Sequence, residues 1–296
     1  GGIAVDVGIT NAASGGSVTV NRSGAISGAA GILAQTAGTG NVAVTTSAAV
    51  TASAGDAIAA RNTNAAANPG TLAITVGAGS IVTATGGSGI VTDSGKSTGL
   101  STVSVAGKVQ ANGTGAGIKA SSTAGGIAVQ LATTGTSSGT IGVDLGTASG
   151  ALSVNNAGQV TGTTTGIRTV STGAGAVTIT NSGAVTGGTN AVLATLANGT
   201  FALNNTGTLN GAVNVTGSNV ATTTITNAAG GTTNFTGTSS VSGNFVNAGT
   251  VVIAAGGSVT FLGNTNNSNL IRFAGPGLAW RRPAGRRWPQ TTPVFW

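Results

Sequence analysis

The chain has 296 residues, and its composition excludes most enzyme chemistry. It contains no Cys, no His and only four acidic residues, and its formal net charge is +7. Zinc sites are built from His and Cys, and glycosidases use paired carboxylates, so both chemistries lack the side chains they need. We therefore predict no enzyme activity and no catalytic, metal-binding or cofactor-binding residues. Without Cys, stability has to come from packing and hydrogen bonds.

The composition nevertheless favours a folded chain over a disordered one. Hydrophobic residues make up 40% of the sequence and charged residues only 5%, whereas disordered chains combine low hydrophobicity with high net charge. Every apolar stretch is interrupted well before the roughly 18 residues of a membrane-spanning helix. The chain begins at Gly1 with neither an initiator Met nor a signal region, so it reads as a fragment of a longer protein.

A unit of about 25 residues recurs along the chain, within the range of solenoid repeats. Its copies are GSVTVNRSGAISG (16–28), GNVAVTTSAAVTA (40–52), GALSVNNAGQVTG (150–162) and GAVTITNSGAVTG (175–187). Each unit holds three short segments of alternating apolar and polar residues, which indicates three β-strands. With no helical segment between them, the strands predict an all-β fold, a right-handed parallel β-helix in which each three-strand rung pairs with the next.

The first strand of a unit is predicted to point a pair of apolar residues inward, such as Val177 and Ile179, and the second strand a single one, such as Val185. Asn-x-Gly tripeptides are predicted corners, because Asn and Gly tolerate positive φ. They are Asn156–Gly158, Asn181–Gly183, Asn205–Gly207 and Asn247–Gly249. Two longer units predict loops at Asn62–Pro69 and Asp93–Gly99.

Aligning the third strands on their Ile residues predicts one outward-facing position that carries most of the charge. The alignment uses Ile3, Ile32, Ile58, Ile90, Ile118 and Ile141, and the aligned residues are Asp6, Gln35, Arg61, Asp93, Ser121 and Asp144. Lys119 and Arg168 fall on the same outer face, so charges of opposite sign are expected on neighbouring rungs. Such cross-strand pairs contribute roughly 0.2–1 kcal/mol each and discourage slippage between strands.

The division of the chain is predicted from an abrupt change of composition near its end. Residues 1–270 form the β-helix, whereas the tail, residues 271–296, holds five of the eleven basic residues, four of the five prolines and all three tryptophans. Arg binds phosphate and Trp stacks on bases or lies at membrane interfaces, so nucleic acid or an anionic membrane is one interpretation of this tail. The interpretation we favour is an exposed, poorly ordered or non-native tail, and we expect no nucleic-acid partner.

The repeated Gly-x-[VAL]-x-[VI]-x-N-x-G-x-[VI]-T-G units, rich in Ala, Gly, Ser, Thr and Asn, resemble autotransporter passenger domains of Gram-negative bacteria. The resemblance covers most of the chain, and filamentous haemagglutinin-like adhesins share similar units. It implies secretion to the cell surface and anchorage of the parent protein in the outer membrane by a C-terminal β-barrel that this sequence does not include. It also implies adhesion or aggregation, with partners that are surface glycans, surface proteins or further copies of the chain.

Three other functions remain as alternatives. A β-helical polysaccharide lyase would need clustered carboxylates, and its best candidate is Asp93 with Arg61. Calcium binding is suggested by GGIAVDVGI (1–9), one departure from a calcium-binding nonapeptide, although Asp6 has no companion at the required spacing. An ice-binding-like threonine array is suggested by Thr222–Thr226, but such a column is interrupted by Val20 and Asn21, by Ser101 and by Asn155.

Overall fold

The computed structural model describes residues 2–217 and 222–275, which form a parallel β-helix of 29 strands without an α-helix among them. The strands stack along the axis in parallel register with a period of roughly 25 residues, so the predicted all-β solenoid is confirmed. Parallel strands need a crossover connection, and here the other strands of each rung provide it. Three faces result, called the first, second and third face after their order in a rung.

The first face is an eleven-stranded sheet of parallel strands. Its strands are β2 (Val18–Arg22), β5 (Val42–Thr46), β8 (Leu72–Val76), β11 (Ser101–Val105), β14 (Ile127–Leu131), β16 (Leu152–Asn156), β18 (Val177–Asn181), β20 (Phe201–Asn205), β22 (Thr223–Asn227), β25 (Asn244–Asn247) and β28 (Thr265–Asn267).

The second and third faces belong to one eighteen-stranded sheet. Short strands of the second face are β3 (Ile26–Gly28), β6 (Val50–Ala52), β9 (Ile81–Ala84), β12 (Lys108–Ala111), β23 (Thr232–Phe235), β26 (Thr250–Ala254) and β29 (Ile271–Ala274). Strands of the third face are β1 (Ile3–Ile9), β4 (Ala30–Thr36), β7 (Ile58–Asn62), β10 (Ile90–Asp93), β13 (Ala116–Ser122), β24 (Thr238–Val241) and β27 (Ser258–Phe261). Four long strands run through both faces: β15 (Thr136–Thr147), β17 (Gln159–Ser171), β19 (Ala184–Leu196) and β21 (Thr208–Thr216).

The interior is a continuous column of Val, Ile, Leu and Ala side chains contributed by all three faces. The predicted inward residues Val177, Ile179 and Val185 are each at most 1% exposed. Burial of one such aliphatic side chain stabilises the fold by about 1.5–3 kcal/mol. Because every rung contributes to the same column, the packing energy is distributed along the whole axis.

The Asn-x-Gly corners lie where they were predicted, but the proposed reason for them was wrong. No described residue other than Gly has a positive φ, and Gly158, Gly183, Gly207 and Gly249 are not among the positive-φ glycines. A Cβ atom added at any of these four would lie closer than 3.0 Å to backbone of the preceding rung. Glycine is therefore required at these corners by the close stacking of rungs.

The asparagine of each corner lies inside the coil, at the end of a strand of the first face, where it forms a ladder of side-chain hydrogen bonds. Each Nδ2 donates to the Oδ1 of the next asparagine, with donor–acceptor distances of 2.6 to 2.8 Å. The asparagine ladder consists of Asn156, Asn181, Asn205, Asn227, Asn247 and Asn267. The second Nδ2 proton is directed at backbone carbonyls of the following corner, so these buried amides are satisfied.

The two predicted loops are confirmed, and they stack on each other. The connections after β7 and after β10 contain no strand, but an isolated parallel bridge joins Asn68 to Ser97. Buried Asn62 donates from Nδ2 to Asn68 Oδ1 at 2.9 Å. Ser97 Oγ donates to the carbonyls of Asn68 and Gly70. Asparagine and serine side chains thus supply hydrogen bonds to loop backbone groups that take no part in strand pairing.

The described solenoid extends beyond the predicted boundary at residue 270. Strand β29 (Ile271–Ala274) pairs with β26, and Ile271 is only 8% exposed. Beyond residue 275, the remainder of the predicted Arg/Pro/Trp-rich tail lies outside the described residues.

Candidate functional surface

The predicted charged position divides into two separate columns on the third face. Gln35, Arg61, Asp93 and Ser121 are paired with one another on successive strands, as predicted. Asp6 and Asp144 were wrongly placed: Asp6 pairs with Leu33, and Asp144 pairs with Lys119 and Arg168.

The misplacement has a simple geometric cause. Val143 pairs with Ile118, and Ile141 pairs with Ala116, so Val143 occupies the inward position that had been given to Ile141. Likewise Val5, and not Ile3, pairs with Ile32. Aligning these strands on Ile therefore shifted them by two residues, which preserves the inward-outward alternation but changes the neighbours.

The column of Lys119, Asp144 and Arg168 contains the shorter of the two ion pairs among the described residues. Arg168 donates from Nε and an Nη to the two carboxylate oxygens of Asp144, both at 2.7 Å. The Asp144 side chain is 11% exposed and that of Arg168 is 42% exposed. Hydrogen bonding to Asp144 raises the pKa of the Arg168 guanidinium above its usual value, in spite of partial desolvation. The guanidinium thus covers a carboxylate that was predicted to face outward.

The charges proposed for a lyase site are not brought together by an ion pair. Arg61 lies opposite Asp93, but its guanidinium approaches Asp56 Oδ2 at 3.5 Å. Asp93 Oδ1 instead accepts a hydrogen bond from the backbone N–H of Gly95, which has a φ of 51°. Asp93 therefore shapes the start of its own loop. Among the described residues, no group of three or more His, Cys, Asp or Glu side chains is placed to hold a metal ion.

The segment suggested for calcium binding forms the first strand of the third face. Its described part includes β1 (Ile3–Ile9), in which Asp6 is exposed, while Gly1 lies outside the described residues. The partner of Asp6 on the neighbouring strand is Leu33, an apolar residue. The adjacent rung thus supplies no carboxylate at this position.

The first face presents a flat, uncharged polar surface from β5 to β22. Its strands pair in unbroken register, and two outward residues of each strand form two columns parallel to the axis. One column is Ala43, Ala73, Thr102, Ala128, Ser153, Thr178, Ala202 and Thr224. The other is Thr45, Thr75, Ser104, Gln130, Asn155, Thr180, Asn204 and Thr226. With about 4.8 Å between neighbouring strands, the two columns extend roughly 34 Å along the axis.

The threonine-rich segment contributes only part of its hydroxyls to this surface. Thr224 and Thr226 point outward, whereas Thr223 is fully buried in the interior. Ala128 and Gln130 or Ser153 and Asn155 take the same two positions on other strands. The surface is therefore a mixed array of hydroxyl, amide and methyl groups.

The comparisons with known proteins do not assign the chain to a family, so its class is defined by the fold. No family model matches the chain, and neither the curated proteins nor the solved structures gave a match. The structure itself defines a β-solenoid repeat protein. The residues the structure describes contain no helix long and apolar enough to cross a membrane.

Proposed function

We propose that this chain is a structural and adhesive stalk, part of the passenger of a bacterial autotransporter exposed at the cell surface or released from it. The observation that carries the proposal is the uncharged surface of the first face, which holds hydroxyl, amide and methyl groups in register along the axis. A rigid solenoid holds these groups at fixed spacing, so binding does not require them to be ordered first.

The chemistry of this surface favours glycans or other polar, uncharged surfaces as partners. Thr and Ser hydroxyls and Asn amides both donate and accept hydrogen bonds, as sugar hydroxyls do. Each contact is weak because it replaces a contact with water. Many contacts on one rigid body add through avidity, so affinity should depend on the number of rungs.

Adhesion of stepwise rung deletions tests this proposal. We expect adhesion of the chain to glycan-coated surfaces or to cells to fall gradually as whole rungs of the first face are removed. Circular dichroism of each variant checks that the β-helix is retained. Abrupt loss on deletion of one particular rung would instead indicate a localised receptor site and contradict a distributed surface.

Substitutions on matched faces sharpen the test. Replacing Asn155, Thr180 and Asn204 together by Ala removes polar groups from the centre of the first face. Replacing Thr161 and Gln159 by Ala removes polar groups from the second face and serves as the control. Weaker adhesion only with the first set supports the proposal, and equal effects would refute it.

The proposed function requires no catalytic step, and the lyase alternative is testable directly. Polysaccharide cleavage should be undetectable in the wild-type chain with added calcium. A calcium-dependent cleavage activity that is lost in Asp93→Ala would overturn the proposal in favour of a lyase.

A further inference from the structure

The asparagines of the chain separate into two groups that differ in sequence context. Nine are buried: the six residues of the asparagine ladder together with Asn62, Asn64 and Asn68. None of these nine begins an Asn-x-Ser/Thr tripeptide, which is the acceptor sequence for N-glycosylation. Seven other asparagines do begin such a tripeptide, and all of them are exposed or half-buried: Asn21, Asn112, Asn198, Asn204, Asn214, Asn234 and Asn266.

Hydrogen bonds divide these seven further. An acceptor asparagine needs a free Nδ2, but that of Asn214 donates to Asn190 Oδ1 at 2.7 Å and that of Asn234 donates to Asn210 Oδ1 at 2.6 Å. Asn21, Asn204 and Asn266 lie within strands of the first face, which are hydrogen-bonded to adjacent rungs. A paired strand cannot leave its sheet to enter the cleft of a modifying enzyme without breaking these bonds.

Asn112 and Asn198 combine all the features that an acceptor needs. Both lie in bends outside the strands, and both are exposed together with the hydroxyl residues Thr114 and Thr200. The Asn112 side chain accepts a hydrogen bond at Oδ1 from Gln110 Nε2 at 3.3 Å, which leaves its Nδ2 free, and its backbone N–H donates to the carbonyl of Ala84. Asn198 is held by its backbone N–H, which donates to the carbonyl of Gly173.

Packing explains why glycine lies between asparagine and threonine at both sites, but it does not explain the asparagine and the threonine themselves. A Cβ atom at Gly113 or Gly199 would lie closer than 3.0 Å to a backbone carbonyl oxygen of the preceding rung. Exposed Asn112 and Thr114 have no comparable constraint, since any small polar residue satisfies an exposed bend.

We propose that Asn112 and Asn198 are N-glycosylation sites, modified by a separate transferase from a nucleotide-activated hexose. The step forms a bond between the asparagine Nδ2 and the anomeric carbon of the sugar. The bond between that carbon and the diphosphate of the nucleotide breaks, the nucleoside diphosphate leaves, and one Nδ2 proton passes to a base of the transferase. The inference concerns modification and does not depend on what the stalk binds.

Peptide mapping by mass spectrometry tests the assignment on the chain purified from the cells that produce it. We expect the mass increment of hexose on the peptides containing Asn112 and Asn198, located by electron-transfer fragmentation. The increment should disappear from the respective peptide in Asn112→Gln and Asn198→Gln. Unmodified Asn112 and Asn198 in this material would overturn the proposal.

A second experiment distinguishes the effect of accessibility in the folded chain from the effect of the Asn-x-Ser/Thr sequence. The folded chain is incubated with a soluble transferase specific for Asn-x-Ser/Thr and with UDP-glucose. Asn112 and Asn198 should be modified, and Thr114→Ala and Thr200→Ala should abolish the modification of their own sites. Synthetic peptides that contain Asn214 or Asn234 should be modified, although these residues in the folded chain are not. Equal yields at Asn112 and at Asn214 in the folded chain would contradict the structural argument.

Discussion

Substitution of one central residue of the asparagine ladder tests how much the interior polar column contributes to stability. Asn205 accepts from Asn181 Nδ2 at 2.8 Å, and its two Nδ2 protons are directed at Asn227 Oδ1 at 2.8 Å and at the carbonyls of Thr232 at 3.1 Å and Gly207 at 3.2 Å. Asn205→Ala removes the bond accepted by Oδ1 and the bonds made by the two Nδ2 protons, which together amount to about three bonds with a net contribution of about 1 kcal/mol each. We therefore expect the free energy of unfolding to fall by about 3 kcal/mol.

This estimate assumes that no neighbour is left without a hydrogen-bond partner in the variant. Asn181 Nδ2 retains the carbonyl of Thr208, and Asn227 Oδ1 retains the hydroxyl of Thr233. The loss of unfolding free energy should therefore stay close to the contribution of the removed hydrogen bonds, without a further penalty for buried, unsatisfied groups.

Guanidinium unfolding followed by circular dichroism measures the effect, with Asn204→Ala as the matched control. Asn204 is the preceding residue on the same strand, but it is exposed, so its substitution should change stability by less than about 0.5 kcal/mol. The denaturation midpoint should fall for Asn205→Ala with an unchanged m-value. Equal midpoints for the two variants would refute the stabilising role of the ladder.

Five further substitutions, two of which serve as controls, have expected effects on the free energy of unfolding, measured by the same method. Gly183→Ala should cost about 2–3 kcal/mol because the methyl group would overlap the preceding rung, whereas Gly146→Ala, with nothing within 4 Å, should cost less than about 0.5 kcal/mol. Arg168→Ala should cost about 1–2 kcal/mol, less than breaking a fully buried pair, because it leaves a mostly buried carboxylate without its partner. Arg61→Ala, which removes only a longer and more exposed contact, should stay within about 0.5 kcal/mol. Asp93→Ala should likewise stay within about 0.5 kcal/mol, because Asp93 is exposed. Similar losses for Arg168→Ala and Arg61→Ala, or for the two glycine variants, would contradict these arguments.

The sequence was sufficient to predict the strands and the solenoid because both depend on a local pattern. Inward Val177 and Ile179 alternate with the polar residues Thr178 and Thr180, and a parallel coil is the arrangement that buries three such strands per repeat. The loops after Asn62 and Asp93 were predictable for the same reason, since they interrupt the alternation.

The neighbours across rungs were harder to predict, because alternation specifies a face and not a partner. A shift of two residues keeps Asp144 on the outer face, so the pattern alone cannot distinguish Ser121 from Lys119 as its neighbour. The pairing of Val143 with Ile118 decides the register, and it depends on packing along the whole strand.

The asparagine ladder was missed although its signal was present in the sequence. Asn181 follows Ile179 by two residues, and Asn205 follows Leu203 by two, so alternation places both inside the coil. Interpreting asparagine only as a corner residue concealed this position. A polar residue that continues an inward alternation in successive repeats is therefore a signal for a hydrogen-bonded ladder.

The spacing between bonded asparagines decreases along the ladder, from 25 residues at Asn156 to 20 at Asn227 and Asn247. At about 3.3 Å per residue, the path around the coil shortens by roughly 16 Å. Phe235 and Phe245 fill the interior of the shorter rungs. Rungs of different length are therefore not interchangeable. A unit transferred from the longer rungs near Asn156 to the shorter rungs near Asn227 would extend past its neighbours, and backbone groups at the mismatch would lose their hydrogen bonds. Lengthening this rod by duplication should succeed only where the duplicated unit matches the girth of the rungs beside it.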